Sequence, residues 1–108
     1  MASRPSGVKK FTNADSTDQV VVAYPVNIYS IDISWIGQTV GDRIILHDHA
    51  SAALGNKVWE FVIPTAAGSF SPNMPAVGKI CEKGIYLNPQ LSDNTVGKFK
   101  INIGLDGV

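Results

Sequence analysis

Three consecutive residues, His47, Asp48 and His49, have side chains that could ligate a metal ion. If this segment is a strand, the two histidines share one face, and imidazole nitrogens suit zinc. A complete site needs further ligands, but no Cys, Glu or third His stands close to this segment in the sequence. Asp is also common where a strand turns into a loop. We therefore predict that no metal and no cofactor binds here, and that Asp48 shapes a turn.

The serine residues show no catalytic motif. Ser16, Ser51 and Ser69 all lack the Gly-x-Ser-x-Gly context that exposes a nucleophilic serine on a sharp turn. A Ser-His-Asp triad could be drawn among almost any polar residues of this chain, so its ingredients alone predict nothing. We predict no catalytic residue and no enzymatic activity.

Aromatic side chains could form a platform on which a sugar ring stacks. The candidates are Trp35, Trp59, Tyr24, Tyr29 and Tyr86. Most of them lie in phase with apolar neighbours on predicted strands, which favours a place in the core. An aromatic residue in a loop or facing outward would instead favour sugar binding, and Phe70 and Tyr86 are the residues that distinguish these readings.

Length and composition limit the classes of function. The chain has 108 residues, enough for one domain with a single core. Its 9 basic and 9 acidic residues balance, which argues against nucleic acid as a partner. No apolar stretch approaches the ~20 residues that span a bilayer, so no membrane contact is predicted. The single Cys81 cannot form an intrachain disulfide and is expected in the core.

The elements that position these residues are β-strands, because apolar and polar residues alternate along most of the chain. In the last such run Phe99, Ile101 and Ile103 share one face, with Lys100 and Asn102 on the other. This pattern is typical of a strand with one face on a core and one in water. Since no window keeps a helical period, helix should be minor or absent. The chain is predicted to be all-β, an antiparallel β-sandwich of jelly-roll type.

Local patterns predict several details of this sandwich. Residues 43–48 and 57–64 alternate on both sides of a loop, which predicts a hairpin. A change of phase within residues 26–37 predicts a bulge near Tyr29. Residues 65–76 are predicted to be a connection in which Phe70 and Met74 cover the core. Residues 89–94 are predicted to form a turn, and Gly84 is predicted to mark either a turn or a close approach of the backbone. The predicted core contains Trp35, Ile33, Trp59, Phe61, Ile85, Phe99, Ile101 and Ile103.

The beginning of the chain differs from the rest. Residues 1–17 are rich in Ser, Gly, Pro, Asn and Asp, with only Val8 and Phe11 as sizeable apolar residues. Such a segment cannot bury enough surface to offset the entropy lost on ordering. We predict a flexible N-terminal arm at residues 1–17, which is either frayed or ordered on a partner, and a single β-sandwich domain at residues 18–108. The start of the chain lacks the apolar stretch of a signal peptide, which predicts folding in a cytoplasm.

From Val20 onward, the order of elements resembles a small β-domain of virion proteins from tailed phages and cyanophages. In those proteins a strand ending in an aspartate opens a loop of small residues, as in Leu46-His47-Asp48-His49-Ala50-Ser51 here. A second strand follows, which here is Val58-Trp59-Glu60-Phe61-Val62-Ile63. A Pro-containing stretch then leads to Gly84-Ile85-Tyr86-Leu87, and an alternating strand closes the chain. The histidines beside the aspartate and the lysine-rich residues 78–83 depart from this pattern.

The resemblance implies a structural function. Such domains act as capsid decoration or cement proteins, as head knobs, or as modules of tail and fibre proteins. It implies a protein of the capsid surface, made in the host cytoplasm, that binds the major capsid protein and stabilises the phage head. Decoration proteins often assemble as trimers, so a homotrimer is expected. The alternative is a receptor- or carbohydrate-binding module of a phage tail or fibre.

Overall fold

Alternating and β-branched sequences form strands throughout this protein. The structure, a computed structural model, describes residues 6–9, 19–54, 56–73, 79–93 and 97–107. Within these ranges the chain forms nine strands and no helix, so the prediction of an all-β chain is confirmed. The strands are β1 (Ser6–Lys9), β2 (Gln19–Val22), β3 (Val26–Trp35), β4 (Arg43–His47), β5 (Lys57–Val62), β6 (Gly68–Phe70), β7 (Lys79–Cys81), β8 (Ile85–Gln90) and β9 (Phe99–Gly107). The described residues accordingly include no helix that could cross a membrane.

The described strands form two antiparallel sheets that pack face to face. Sheet A has the order β1-β9-β3-β6, with β7 pairing β3 further along the edge that β6 occupies. Sheet B has the order β2-β8-β4-β5. The pairs are nested, because β4 pairs β5, β3 pairs β6 and β7, β2 pairs β8, and β1 pairs β9. A long antiparallel hairpin that is wound onto itself has this topology, which is the jelly roll.

The core lies between the two sheets and contains most of the residues that the alternating pattern placed on the inner faces of the strands. Six of the predicted core residues are buried in one cluster, namely Ile33, Trp35, Ile85, Phe99, Ile101 and Ile103. The other two, Trp59 and Phe61, are partly buried and pack against this cluster. Both belong to β5, an edge strand of sheet B, so fewer neighbours cover them.

Two predicted local features are confirmed. The hairpin of β4 and β5 runs from Arg43 opposite Val62 to His47 opposite Lys57. On β3, the register against β9 shifts between Ile28 and Ser30, so the residue between them is the extra residue of a bulge. This bulge returns the following apolar residues of β3 to the inner face.

Three assignments from the sequence are wrong in detail. Tyr24 is exposed rather than part of the core, because it follows β2 at the bend before Pro25. Phe70 does not lie in a connection, since β6 forms within residues 65–76 and pairs with the end of β3. β8 continues through Pro89, which was expected to begin a turn. Met74 lies outside the described residues.

Pro89 fits into β8 because only one strand flanks it among the described residues. β2 pairs with β8 no further than Gln19 opposite Leu87, whereas β4 continues to pair with β8 up to Gln90. A proline lacks the backbone N–H and is therefore tolerated where one edge of a strand is open.

The first strand, β1, was not predicted; it lies within the predicted arm and pairs with β9. The division of the chain at residue 17 stays a prediction.

Truncating Phe99 to Ala should remove a large part of the stability. Its side chain is 1 % exposed, so we expect a loss of about 3–5 kcal/mol of unfolding free energy. Urea unfolding followed by circular dichroism measures this loss. Ile80→Ala is the matched control, because Ile80 is exposed on the outer face of sheet A and should change stability by less than about 0.5 kcal/mol. Equal losses for the two variants would contradict the assigned core.

Candidate functional site

Asp48 follows β4 and uses its carboxylate to hold a distant turn. Oδ2 accepts a hydrogen bond from the backbone N–H of Glu82 at 3.0 Å, and Oδ1 accepts one from Lys83 at 2.8 Å. The backbone N–H of Asp48 donates to the carbonyl oxygen of Asn56 at 2.8 Å, which closes the β4–β5 loop. Asp48 therefore joins this loop of sheet B to the turn that connects β7, in sheet A, with β8.

The turn that Asp48 holds also depends on Gly84. Gly84 has a φ angle of 144°, in the region that favours glycine. A Cβ atom at this position would collide with the carbonyl oxygen of Val22. The sequence left open whether Gly84 marks a turn or a close backbone approach, and the structure shows both.

The two histidines do not combine with Asp48 into a metal centre. Nδ1 of His49 accepts hydrogen bonds from the backbone N–H groups of Ser51 and Ala52 at 3.1 and 3.0 Å, so His49 shapes its own loop. His47 ends β4, and the residue is 6 % exposed, with both ring nitrogens inaccessible. Among the described residues, no group of three or more His, Cys, Asp or Glu side chains is arranged to hold a metal ion.

Hydrogen bonding controls the charge of Asp48. Burial raises the pKa of its carboxyl, but the backbone N–H groups of Lys83, Glu82 and Gly84 and the Lys83 ammonium lower the pKa, which ends below its ordinary value.

Burial raises the pKa of the Cys81 thiol to about 11, and the Asp48 carboxylate adds to that rise. Because the thiolate is the reactive form, Cys81 is an inert core thiol at neutral pH. The prediction that it belongs to the core is confirmed.

At the opposite end of the sandwich, Gln38 joins three loops. Its Nε2 donates to the carbonyl oxygen of Asp93 at 2.9 Å, and its Oε1 accepts from the Asp93 backbone N–H at 3.0 Å. Its backbone N–H donates to the carbonyl oxygen of Ala66 at 3.0 Å. The Gln38 residue is buried, so these hydrogen bonds are shielded from water. The β3–β4, β5–β6 and β8–β9 loops are thus held together.

Asp42 strengthens the same junction. Its Oδ2 accepts hydrogen bonds from the backbone N–H groups of Thr39 and Ser92 at 3.0 and 2.9 Å, and its Oδ1 accepts from the Ser92 hydroxyl at 2.8 Å. Burial raises the pKa of Asp42, but these hydrogen bonds outweigh burial and the pKa lies below its ordinary value. Asp42 therefore acts as a fixed anion that connects loops.

Two segments of the loops held by Gln38 and Asp42 contain no charged residue, although Asp42, Asp93 and Lys98 lie in the same three loops. Residues 36–41, between β3 and β4, and residues 63–67, between β5 and β6, contain no Asp, Glu, Lys, Arg or His. These two segments expose Ile36 and Val40, and Val62 is exposed on the adjoining part of β5. By contrast, the β4–β5 loop and the β7–β8 turn at the other end carry Asp48, His49, Glu82 and Lys83.

Four aromatic side chains stack on one another where the edge strands β5 and β6 of the two sheets meet. Phe61 lies between Trp59 and Phe70, with ring centroids 6.0 and 4.7 Å away and interplanar angles of 14° and 21°. Trp35 tilts against Phe61 at 5.4 Å, and its Nε1 donates to the carbonyl oxygen of Thr65 at 2.9 Å. These rings therefore cover one another's faces, although Phe70 is still 41 % exposed.

Tyr86 lies on the outer face of sheet B. It stands opposite His47 on β4 and Val20 on β2, and it is partly exposed. One of the two features that would favour sugar binding, an outward tyrosine, is therefore present, whereas Phe70 belongs to a strand and stacks on Phe61.

The serine candidates are scattered. Ser51 lies in the β4–β5 loop, Ser69 lies in β6 opposite Ser34, and Ser16 is outside the described residues. Sequence reasoning missed that Gln38 and Asp42 connect loops, because their partners in the other loops lie far along the chain. The exposed apolar residues did have a signal, since Ile36 and Val40 stand in a segment, residues 36–41, that contains no charged residue.

Comparisons with known proteins identify no relative of this chain. No family model matches it, and neither the curated proteins nor the solved structures include a match.

Replacing Asp48 with Asn should reduce stability in a pH-dependent way. Because the pKa of Asp48 is lowered in the fold, its charge stabilises the fold above the ordinary Asp pKa of about 4. This stabilisation is lost as the pH falls through the lower folded pKa. We expect Asp48→Asn to lower the Tm near pH 7, and the difference from the unsubstituted protein to shrink below about pH 4. Thermal unfolding between about pH 7 and about pH 3 measures it.

Glu82→Gln is the control for this experiment. It removes a carboxylate from the same turn while leaving the backbone N–H that donates to Asp48 in place. The control should keep the pH dependence of the unsubstituted protein. A constant difference between Asp48→Asn and the unsubstituted protein at every pH would show that the Asp48 charge has no part in holding the turn.

Proposed function

We propose that this protein is a structural virion protein that binds the major capsid protein on the outside of a phage head. In this function it decorates the capsid and holds neighbouring capsomers together. The proposal includes self-association, with a homotrimer favoured, and location on the capsid surface after synthesis in the host cytoplasm. No catalytic step belongs to it.

The observation that carries this proposal is the use of polar side chains as connections between loops. Asp48, Gln38 and Asp42 all direct their oxygens or nitrogens at backbone groups of other loops. A catalytic carboxylate or amide would instead be directed at a cleft where substrate binds. Loops fixed at both ends of a small sandwich suit a protein whose task is to present a rigid surface.

The fold is compatible with this proposal. Jelly rolls are the architecture of many viral capsid domains, and they also occur in lectins. Since a fold hosts many functions, this support is an analogy. It agrees with the resemblance of the Asp48 loop, the β5 sequence and the Gly84-Ile85-Tyr86-Leu87 segment to small virion domains.

A receptor- or carbohydrate-binding module is the second proposal, and two partly exposed aromatic side chains favour it. Tyr86 faces outward from sheet B, as such a module would require. Phe70 is 41 % exposed at the end of the stacked aromatic row, so part of its ring is open to a sugar. Phe61 covers one face of that ring, which leaves less area for stacking than a free aromatic platform offers. A glycan array with the protein and its Phe70→Ala variant tests this proposal directly, because only a sugar-binding module gives signals that the variant loses.

The decoration function predicts binding to heads and a more stable head. Heads of the phage that encodes this chain should be prepared with its gene deleted and then mixed with the purified protein. We expect the protein to cosediment with these heads to a fixed ratio, and to raise the temperature at which they release DNA. The physical reason is that a subunit bound across neighbouring capsomers must be displaced before they separate.

Purified tails are the control, since a decoration protein should not cosediment with them. Cosedimentation with tails but not with heads would contradict the decoration function and would favour the receptor-binding module. Absence of binding to both particles would refute the decoration function, and the glycan array would then decide the receptor- or carbohydrate-binding module.

A further inference from the structure

A cleft opens between edge strands of the two sheets at the end of the sandwich that carries Asp48. Its volume is about 300 Å³, which lies at the lower end of the range of small-molecule sites. The beginning of β5, in sheet B, forms one wall and contributes Lys57. β7, in sheet A, and the turn after it form the other wall and contribute Lys79 and Glu82. The cleft therefore collects charged side chains from both sheets.

Asp48 holds both walls of this cleft in place. Its backbone N–H donates to the carbonyl oxygen of Asn56, directly before β5, and its carboxylate accepts from the backbone N–H groups of Glu82 and Lys83. The cleft is thus formed before a ligand binds, which lowers the entropy cost of binding. Because the Asp48 carboxylate already accepts these hydrogen bonds, the other charged side chains of the cleft are available to a ligand.

Two opposite charges on the sheet A wall have no partner. Lys79 and Glu82 form no ion pair and no side-chain hydrogen bond with any residue that the structure describes. Only two residues separate them in the sequence. Unpaired charges of both signs at one cleft are complementary to a ligand that itself carries both signs.

Lys57 adds a second cation from the opposite wall. Its Nζ lies 3.5 Å from Oε1 of Glu60, but Arg43 approaches Oε2 of the same carboxylate at 3.2 Å. Since one carboxylate serves two cations, an anionic group in the cleft gains attraction from Lys57 as well as from Lys79. Glu82 would repel a simple anion, whereas a zwitterion gains from all three side chains.

We propose that this cleft binds a small zwitterion of the α-amino acid type. The carboxylate of the ligand pairs with Lys57 and Lys79, and its ammonium group pairs with Glu82. Val58 and Ile80 complete the lining and offer apolar surface to an aliphatic side chain. Because the charged side chains are exposed, each pair contributes little, and we expect a Kd of roughly 1–10 mM. The inference goes beyond the proposed function and does not depend on it.

L-leucine and two of its derivatives test both halves of the site. L-leucinamide lacks the carboxylate and N-acetyl-L-leucine lacks the ammonium group, while both keep the side chain. Each is titrated into the isotope-labelled 108-residue chain near neutral pH, to about 50 mM, and backbone amide shifts are followed by NMR. We expect L-leucine to shift the amides of Asn56, Lys57, Lys79 and Glu82 saturably. Each derivative should bind at least roughly threefold more weakly, since it lacks one exposed charge pair.

Two substitutions assign the charges. Lys79→Gln should weaken L-leucine binding roughly threefold and reduce its advantage over L-leucinamide, because the carboxylate loses a partner. Glu82→Gln should likewise reduce the advantage of L-leucine over N-acetyl-L-leucine. Lys100→Gln is the matched control, since Lys100 is an exposed lysine on β9, away from the cleft. It should bind L-leucine like the unsubstituted protein.

Four results would each overturn the proposal. The first is the absence of saturable shifts at the amides around the cleft, and the second is equal binding of L-leucine and both derivatives. The third is unchanged L-leucine binding by Lys79→Gln. The fourth is equal weakening by Lys79→Gln and Lys100→Gln, which would show only a non-specific attraction between charges. Head binding is measured in a separate experiment, so its result leaves these outcomes unaffected.

Discussion

The pairing of β3 with β9 is the interaction on which the rest of the sandwich depends. These two strands are the longest among the described residues, and they pair from Val26 opposite Gly107 to Trp35 opposite Phe99. All other strands of sheet A attach to one of them, since β1 pairs β9 while β6 and β7 pair β3. Their inner faces supply Ile33, Trp35, Phe99 and other side chains against which sheet B packs. Without this pairing, neither the edge strands nor the core would have a surface to pack on.

The fold could be predicted from the sequence where the pattern of side chains is local. Alternation along β3, β5 and β9 indicated strands and their inner faces, and the change of phase before Tyr29 indicated the bulge. β1 and β6 were missed because their residues, Ser6–Lys9 and Gly68–Phe70, have neither β-branched runs nor alternation. Pairing with β9 and β3 determines these two strands, and such long-range contacts leave no local signal.

In the candidate site, too, local sequence patterns predicted some features, whereas long-range contacts determined the others. Asp48 was predicted to shape a turn, but the turn that it holds lies between Glu82 and Gly84, which no local pattern connects to it. The burial of Ile45 on the outer side of sheet B was also not predicted. A signal for it exists, because Ile44, Ile45 and Leu46 are consecutive apolar residues, a pattern typical of a strand covered on both faces. Side chains that connect distant loops are visible only once the topology has brought those loops together.

The nested order of the strands has a consequence for how the chain folds. Among the described strands, only β4 and β5 pair with an immediate neighbour in sequence, and every other ladder closes a longer loop. Loop closure costs entropy before the contacts form, so we expect the β4–β5 hairpin to form before the longer loops close. During synthesis, β3 leaves the ribosome long before β9 exists to pair with it. Until β9 has been made, one edge of this ten-residue strand, whose inner face is apolar, stays open, and it is then available to chaperones or to a neighbouring nascent chain.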